Sequence, residues 1–209
     1  KGSYLGPSFE DDEIENTLKS LGAKYQKNNE ENLINTVVNE LKNGKTIGWF
    51  QGRMEFGQRA LGNRSILADP RNLENKKLVN QAIKYREKFR PFAPAILSEE
   101  LKNYFNTTDK SEVRFMEKVF KFNNSVKRKV PAVVHVDGSG RLQTVSKVSN
   151  EKFYLLIKNF QKLSKIPIVL NTSFNLNGEP IVCSPNDAIR TFFSCGLDSL
   201  IIENFLINK

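Results

Sequence analysis

What the sequence lacks excludes several kinds of functional centre. Two cysteines among 209 residues are too few for a disulfide framework and are typical of a reducing compartment, so we expect a cytoplasmic location. His135 is the single histidine, which excludes a multi-histidine metal centre on this chain. No apolar run approaches the ~20 residues of a membrane-spanning helix. Glycine loops of the Walker and dinucleotide-binding types are also absent.

The beginning of the sequence lacks two further features. It has no initiator methionine, which leads us to expect a fragment of a longer chain, and residues 1–7 contain no apolar segment of the signal-peptide kind. What is present suffices for a folded core, since hydrophobic residues make up 39% of the chain and include 15 phenylalanines. At this length we expect one domain or at most two small ones.

A strong positive charge is the other global feature. The sequence holds 32 lysines and arginines against 23 aspartates and glutamates, giving a net charge of +9. Such a balance is typical of proteins that bind nucleic acid, nucleotides or acidic partners. The cations are spread along the chain, with clusters at residues 84–90 and 127–129. The second cluster is interpreted as a solvated loop, whereas the first runs directly into Pro91.

The most informative segment is the glycine- and arginine-rich stretch at residues 52–64, called the 52–64 loop below. It follows the apolar run at 47–50 and holds three glycines, which let the backbone approach a ligand closely. Arg53, Arg59 and Arg64 carry planar forks of donors that suit carboxylate or phosphate oxygens. A surface turn with solvated arginines is the alternative. The even glycine spacing favours an anion site for a phosphorylated small molecule.

Lys88 and Arg90 form a second candidate site. Side chains two residues apart on an extended stretch point to the same side, and Pro91 biases Arg90 toward the extended region. Two neighbouring cations repel each other unless an anion lies between them, so the spacing suits a triphosphate or an acyl phosphate. A solvated edge strand carrying lysine is an equally weighted alternative.

Polar side chains follow the apolar run at residues 168–170. Asn171, Ser173 and Asn175 are therefore placed at the carboxyl end of a predicted buried strand, where open α/β sheets bind ligands. A hydroxyl and amides at this place could fix a planar neutral group, such as a urea-like amide, or a ribose. Turns in which these side chains bond their own backbone are the alternative.

His135 lies two residues before Asp137. A lone histidine is more often a structural residue than a catalyst, but Asp137 could orient it or hold a nucleotide-bound Mg²⁺. No Ser-His-Asp or Cys-His triad can be assigned, because nothing in the sequence places a nucleophile beside His135.

Periodicity and turn signals predict a twisted mixed α/β sheet flanked by helices, with one hairpin. The predicted helices lie at residues 10–22, 32–42, 73–86, 150–163 and 184–196, with a short one opened by Ser98. The predicted strands lie at residues 46–50, 64–68, 92–97, 113–122, 132–136, 141–145, 167–170 and 199–203. We interpret residues 1–44 as an entry segment with N-terminal helices that pack on a domain formed by residues 45–209.

Long parts of the sequence resemble the carboxy-terminal domain of the carbamoyltransferase family, which includes nodulation and antibiotic O-carbamoyltransferases. The likeness covers nearly the whole chain. Gln58 departs from the family pattern, which has proline there. The matching segments are residues 4–9, 48–57, 59–70, 86–87, 89–94, 135–137, 143–145, 170–175 and 178–182.

The resemblance implies a fold similar to the YrdC/Sua5 group, whose signature is Lys-x-Arg with Ser-x-Asn. Lys88 and Arg90, with Ser173 and Asn175, stand where those motifs are expected. It also implies that the domain binds ATP and carbamoyl phosphate and forms carbamoyl-adenylate. A Kae1-like amino-terminal domain of the same polypeptide, with metal-binding histidines, would then pass the carbamoyl group to a hydroxyl acceptor.

In this interpretation the site supplies positive charge to phosphates, with Mg²⁺ held on the nucleotide and no metal ligand assigned among side chains. The expected catalytic residues are Lys88, Arg90, His135 and Asp137. The expected substrate- and nucleotide-binding residues are Arg53, Arg59, Arg64, Asn171, Ser173 and Asn175.

Two other functions stay open from the sequence. The net charge and the fold group's reputed affinity for RNA allow a nucleic-acid-binding module, although the cations lie beside glycines and amides rather than exposed aromatic residues. A regulatory domain that binds nucleotide without turnover is the third possibility. The acceptor and the oligomeric state cannot be predicted from this chain.

Overall fold

The centre of the molecule is an eight-stranded mixed sheet whose middle strands are buried, except for the last two residues of Ile168–Ser173. The computed structural model describes residues 2–108 and 112–209. Along the chain the strands are β1 (Tyr25–Lys27), β2 (Ile47–Phe50), β3 (Arg64–Ala68), β4 (Ala93–Leu97), β5 (Phe105–Asn106), β6 (Val119–Phe122), β7 (Ser139–Arg141), β8 (Gln143–Val145), β9 (Ile168–Ser173), β10 (Ser199–Ile202) and β11 (Phe205–Asn208).

The strand order across the large sheet is β1-β11-β10-β2-β3-β9-β4-β8. The β10–β2 and β4–β8 pairs are parallel and the other neighbours are antiparallel, which confirms the predicted mixed sheet. Strand β9 lies between β3 and β4, with Asn171 opposite Ala93 and Ser173 opposite Ser65. The polar end of β9 is thereby placed between two other strands near the middle of the sheet.

A second sheet of three strands, in the order β5-β6-β7, corrects two predictions. The strand expected at residues 113–122 is formed only at Val119–Phe122. The hairpin expected at 132–136 and 141–145 is wrong: Pro131–Val133 forms a 3-10 turn, and β7 and β8 join different sheets. Local turn residues suggested a hairpin, but long-range pairing decided where the two strands lie.

In the described residues, six α-helices flank the sheets, and five of them agree with predicted segments. Asn29, Asn150 and Ser184 cap three of them by accepting a backbone N–H, and Ser184 forms a full capping box with Asp187. The helices are α1 (Asp11–Ser20), α2 (Glu30–Lys42), α3 (Leu73–Leu78), α4 (Leu101–Tyr104), α5 (Glu151–Ser164) and α6 (Pro185–Phe193).

Helix α3 ends earlier than the sequence predicts. Its α-helical part stops at Leu78, and a π-helical turn at Val79–Ile83 carries the chain to Lys84. Tyr85 then adopts a positive φ of 46°, which ends any continuation of the helix. Residues 84–92 consequently form turns and irregular chain instead of the last helical turn and an extended stretch.

The amino-terminal residues take part in the same layers. Strand β1 adds to the sheet through β11, and α2 packs against α5. Within residues 2–108 and 112–209, no helix is both long enough and apolar enough to cross a membrane.

Candidate active site

Arg64, at the start of β3, supports the 52–64 loop from beneath. Its side chain is fully buried, with its guanidinium carbon 3.5 Å from the centre of the Phe50 ring. It donates to the backbone oxygens of Gln51 at 2.8 Å and Pro7 at 3.2 Å. Burial lowers the pKa of Arg64 to about 10. Arg64 therefore joins the loop to the entry segment.

The carboxylate of Glu55 holds residues 61–64 of the loop in place. Its buried Oε1 accepts the backbone N–H groups of Leu61 and Asn63, both at 2.7 Å, and of Arg64 at 3.2 Å. Three donors converging on one oxygen hold these peptide groups in a fixed arrangement.

Gly62 lets the loop pack closely against helix α5. It has a φ of +103°, and a Cβ there would lie 2.3 Å from the ring of Phe153. Its carbonyl accepts the indole N–H of Trp49 at 2.9 Å. The close approach of loop and helix requires glycine at this position.

Arg53 lies on the outside of the loop. Its exposed side chain donates to the backbone oxygens of Gly6 at 3.0 Å and Leu5 at 2.8 Å. It contributes nothing to the lining of the cavities on the other side of the loop.

Three arginines line a cavity of about 100 Å³ beside the loop, called the arginine cavity below. They are Arg59 from the loop, Arg86 from the segment after α3, and Arg141 from β7. Asn171 and Ser173 complete the wall from β9, and none of the lining residues within 2–108 and 112–209 carries a carboxylate. Cations thus meet neutral polar groups at the carboxyl end of a buried strand.

The charges of this cavity are not neutralised by the protein. Among the described residues, the side chains of Arg59 and Arg141 have no hydrogen-bond or ion-pair partner, and the buried Nε of Arg141 is unpaired. Burial and the nearby charge of Arg59 lower the pKa of Arg141. Burial and the charge of Arg90 likewise lower the pKa of Arg86. An anion in the cavity would relieve this repulsion.

Lys84 lies under a second cavity of about 100 Å³, which shares Arg86 and Ser173 with the arginine cavity. Its buried ammonium group donates to the backbone and side-chain oxygens of both Ser173 and Asn175. Burial, and after it the charge of Arg86, lowers the pKa of Lys84 to about 7, whereas these oxygen partners favour the charged form.

The structure therefore places Lys84 and Arg86, rather than Lys88 and Arg90, beside Ser173 and Asn175. Lys88 and Arg90 are exposed and line neither of these two cavities. The extended stretch expected around them is wrong, because residues 87–90 form a turn.

That turn is closed by a hydrogen bond from the Arg90 N–H to the Glu87 carbonyl at 3.2 Å. Arg90 also forms an ion pair with the Glu87 carboxylate at 2.8 Å.

His135 and Asp137 have different surroundings. His135 is half-buried and lines a third cavity, of about 180 Å³, which shares Arg141 with the arginine cavity. Burial lowers the pKa of His135, and its Nδ1 lies 3.3 Å from the Ser139 hydroxyl. Asp137 is exposed and forms an ion pair with Lys121 at 2.8 Å, and this hydrogen bond lowers the pKa of Asp137.

Sequence reasoning missed Lys84, Arg86 and Arg141 as lining residues. The signal for the first two was present, since Lys84 and Arg86 have the same Lys-x-Arg spacing as Lys88 and Arg90. Arg141 was visible only as a cation near His135 in sequence. Within the described parts of the chain no cluster of three His, Cys, Asp or Glu side chains could hold a metal ion, and both cysteines are free.

Comparison with known proteins identifies the fold and the family of the chain. The crystal structure of full-length HypF in the phosphate- and nucleotide-bound form matches with a TM-score of 0.58 at 17% identity, over 84% of this chain and 25% of HypF. This likeness shows the fold, which is the YrdC-like fold expected from the sequence.

Sequence relatives are closer. The chain is 42% identical to the nodulation protein NolO of Bradyrhizobium diazoefficiens, over 99% of this chain and 38% of NolO. It is 33% identical to the 3'-hydroxymethylcephem-O-carbamoyltransferase of Amycolatopsis lactamdurans, over 78% of this chain and 30% of that protein. The chain thus spans roughly a third of the length of these relatives. The family model described as carbamoyltransferase C-terminus matches residues 38–209, and the chain therefore belongs to the carbamoyltransferase C-terminal family.

Proposed function

We propose that this chain is the part of an O-carbamoyltransferase that binds ATP and carbamoyl phosphate and forms carbamoyl-adenylate. The observation that carries the proposal is the arginine cavity, which Arg59, Arg86 and Arg141 line together and to which no described residue contributes a carboxylate. Phosphoryl and acyl-phosphate chemistry needs concentrated positive charge of this kind. The O-carbamoyltransferase among the relatives, and the phosphate- and nucleotide-bound form of HypF, support the same assignment.

The proposed reaction balances with one water molecule. Water releases carbamate and phosphate from carbamoyl phosphate, and a carbamate oxygen then attacks the α-phosphorus of ATP and displaces pyrophosphate. Arg59, Arg86 and Arg141 would neutralise the phosphate oxygens, and Lys84 would hold Ser173 and Asn175 in place. His135 would position a ligand group from the neighbouring cavity, while Lys88 and Arg90 would contribute through their charge alone.

Mg²⁺ fits this arrangement only through the nucleotide. In the part of the chain that the structure describes, the residues lining the three cavities carry no carboxylate, so they provide phosphate ligands rather than magnesium ligands. Bound to the nucleotide, Mg²⁺ would add to the neutralisation of phosphate charge. Transfer to a hydroxyl acceptor would belong to a Kae1-like amino-terminal domain of the same polypeptide, which fits the greater length of the relatives.

Pyrophosphate release by the full-length protein tests this function. We expect release that requires ATP, Mg²⁺ and carbamoyl phosphate together, and none when inorganic phosphate replaces carbamoyl phosphate. ATP binding by calorimetry without pyrophosphate release would favour a regulatory nucleotide-binding domain. Salt-sensitive binding of duplex RNA without pyrophosphate release would favour a nucleic-acid-binding module.

A further inference from the structure

A chain of buried amide groups connects the 52–64 loop with the arginine cavity. The Nε2 of Gln143 donates to the Leu61 carbonyl at 2.8 Å, and its Oε1 accepts the Nδ2 of Asn171 at 3.0 Å. The same Nδ2 also donates to the Ala60 carbonyl at 3.3 Å. Gln143 is 2% exposed and Asn171 is 1% exposed, so water does not compete for these bonds.

The backbone carbonyls at the two ends fix which way each amide points. A reversed Gln143 would set its oxygen against the Leu61 carbonyl, which already accepts the hydroxyl of Tyr4 at 2.8 Å. A reversed Asn171 would set its oxygen against the carbonyl oxygens of Ala60 and Gln143. Both reversals bring acceptors together without a proton between them.

Asn171 consequently has one free hydrogen-bonding position, and that position is an acceptor. Both protons of its Nδ2 are used, whereas its buried Oδ1 has no partner among the described residues. Asn171 lines the arginine cavity beside three side chains that are donors only. The wall of the cavity therefore combines donors for an oxyanion with a buried, unpaired acceptor, the Asn171 Oδ1, that an N–H group would satisfy.

We propose that Asn171 Oδ1, held in orientation by Gln143, accepts an N–H of the carbamoyl group and so selects carbamoyl phosphate over acyl and carboxyl phosphates. The proposal rests on the function proposed above. A carbamoyl group ends in NH₂, while acetyl phosphate has a methyl group at the same place and leaves the buried acceptor unpaired. Leaving such a group unpaired reduces affinity by about 10-fold or more.

The test is the ratio of the dissociation constants for acetyl phosphate and carbamoyl phosphate, measured by calorimetry on the full-length protein. We expect the wild type to favour carbamoyl phosphate by about 10-fold or more, and Asn171→Leu to bring the ratio near one. Binding of inorganic phosphate, which uses only the arginines, should not change in this variant. Gln143→Met retains Asn171 but frees it to turn, so we expect an intermediate ratio.

Asn75→Leu is the matched control, because Asn75 is another buried asparagine, which is bonded to the Asp69 carbonyl at 3.0 Å and does not line the arginine cavity. Its loss should lower stability and leave the ratio unchanged. A wild-type ratio near one, with both ligands bound, overturns the selectivity and leaves the proposed function standing. Equal loss of both ligands in Asn171→Leu and Gln143→Met assigns the amides a structural role only. A wild type that binds neither ligand overturns the proposed function and this inference together.

Discussion

Two Lys-x-Arg pairs lie four residues apart in one segment, and the fold gives them opposite surroundings. Lys84 and Arg86 line a cavity together with Ser173, and the Lys84 ammonium group donates to the Ser173 hydroxyl. Lys88 and Arg90 are exposed on a turn. The two pairs have the same residue types and the same spacing, so neither property decides which pair can meet a ligand.

A single buried side chain separates the two environments. The side-chain oxygen of Asn80, in the π-helical turn, accepts the Nε of Arg86 at 2.8 Å. Its Nδ2 donates to the backbone oxygens of Lys88 at 3.2 Å and Arg90 at 3.1 Å. Asn80 therefore binds the side chain of Arg86 in the first pair but only the backbone of Lys88 and Arg90 in the second pair. The charged groups of the second pair consequently remain in solvent.

The largest effect is expected from replacing Arg86, the arginine of the first pair. Arg86→Ala should reduce kcat/KM for pyrophosphate release on the order of 100-fold, because a donor in a half-buried anion site is lost. Arg90→Ala is the matched change in the second pair and should stay within about twofold of wild type, as exposed charges contribute little. Equal losses in the two variants would contradict the distinction between the pairs.

The 52–64 loop offers the same comparison with a smaller effect. Arg59 lines the arginine cavity without a partner, whereas Arg53 donates to backbone carbonyls on the outside. Arg59→Ala should weaken binding of inorganic phosphate about 10-fold in calorimetry, and should raise Tm slightly because Arg141 loses a repelling neighbour.

Arg53→Ala should lower Tm, because the bonds to the Leu5 and Gly6 carbonyls are lost, and should leave phosphate affinity unchanged. Loss of phosphate affinity in Arg53→Ala alone would show that the cavity arginines have been assigned incorrectly.

The smallest effect concerns how stability depends on pH. Burial lowers the pKa of Lys84 from 10.5 to about 7, so between these values the unfolded chain binds a proton that the folded chain has released. The free energy of unfolding of the wild type should therefore rise with pH across this window, and Lys84→Met should lack that contribution. Lys88→Met, in the exposed pair, should keep the wild-type slope. Parallel urea titrations from pH 7 to pH 10 measure the difference, and identical slopes for all three proteins would contradict it.

Much of the fold could be predicted where a local signal was sufficient. Strand β3 begins and ends as predicted, and the capping box at Ser184 located helix α6. Strands β1 and β11 were missed because three or four residues carry no periodicity of their own and gain their bonds from partners far along the chain. The hairpin failed for a related reason, since β7 and β8 are adjacent in sequence but pair with β6 and β4.

The sequence indicated which types of residue form the candidate site, but not which of the two Lys-x-Arg pairs belongs to it. Lys88 and Arg90 were expected beside Ser173 and Asn175, but Lys84 and Arg86 lie there instead. The pair that lines the cavities is decided by where helix α3 ends. This end could not be predicted, because the π-helical turn that follows the helix has no simple sequence signature. The role of Arg64 could not be predicted either. Its place in a glycine-rich segment suggested an anion ligand, whereas its N–H groups donate to backbone carbonyls.

The anchoring of the 52–64 loop has a consequence for the speed of binding. Glu55 and Gly62 fix the backbone of residues 61–64 through groups of the protein itself, so this part of the loop loses little backbone entropy when a ligand arrives. On the proposed function, ligand capture would need no closing step by this part of the loop, and its rate would follow from diffusion and the attraction of an anion to the arginines. Discrimination between ligands would then reside in how long each one stays bound.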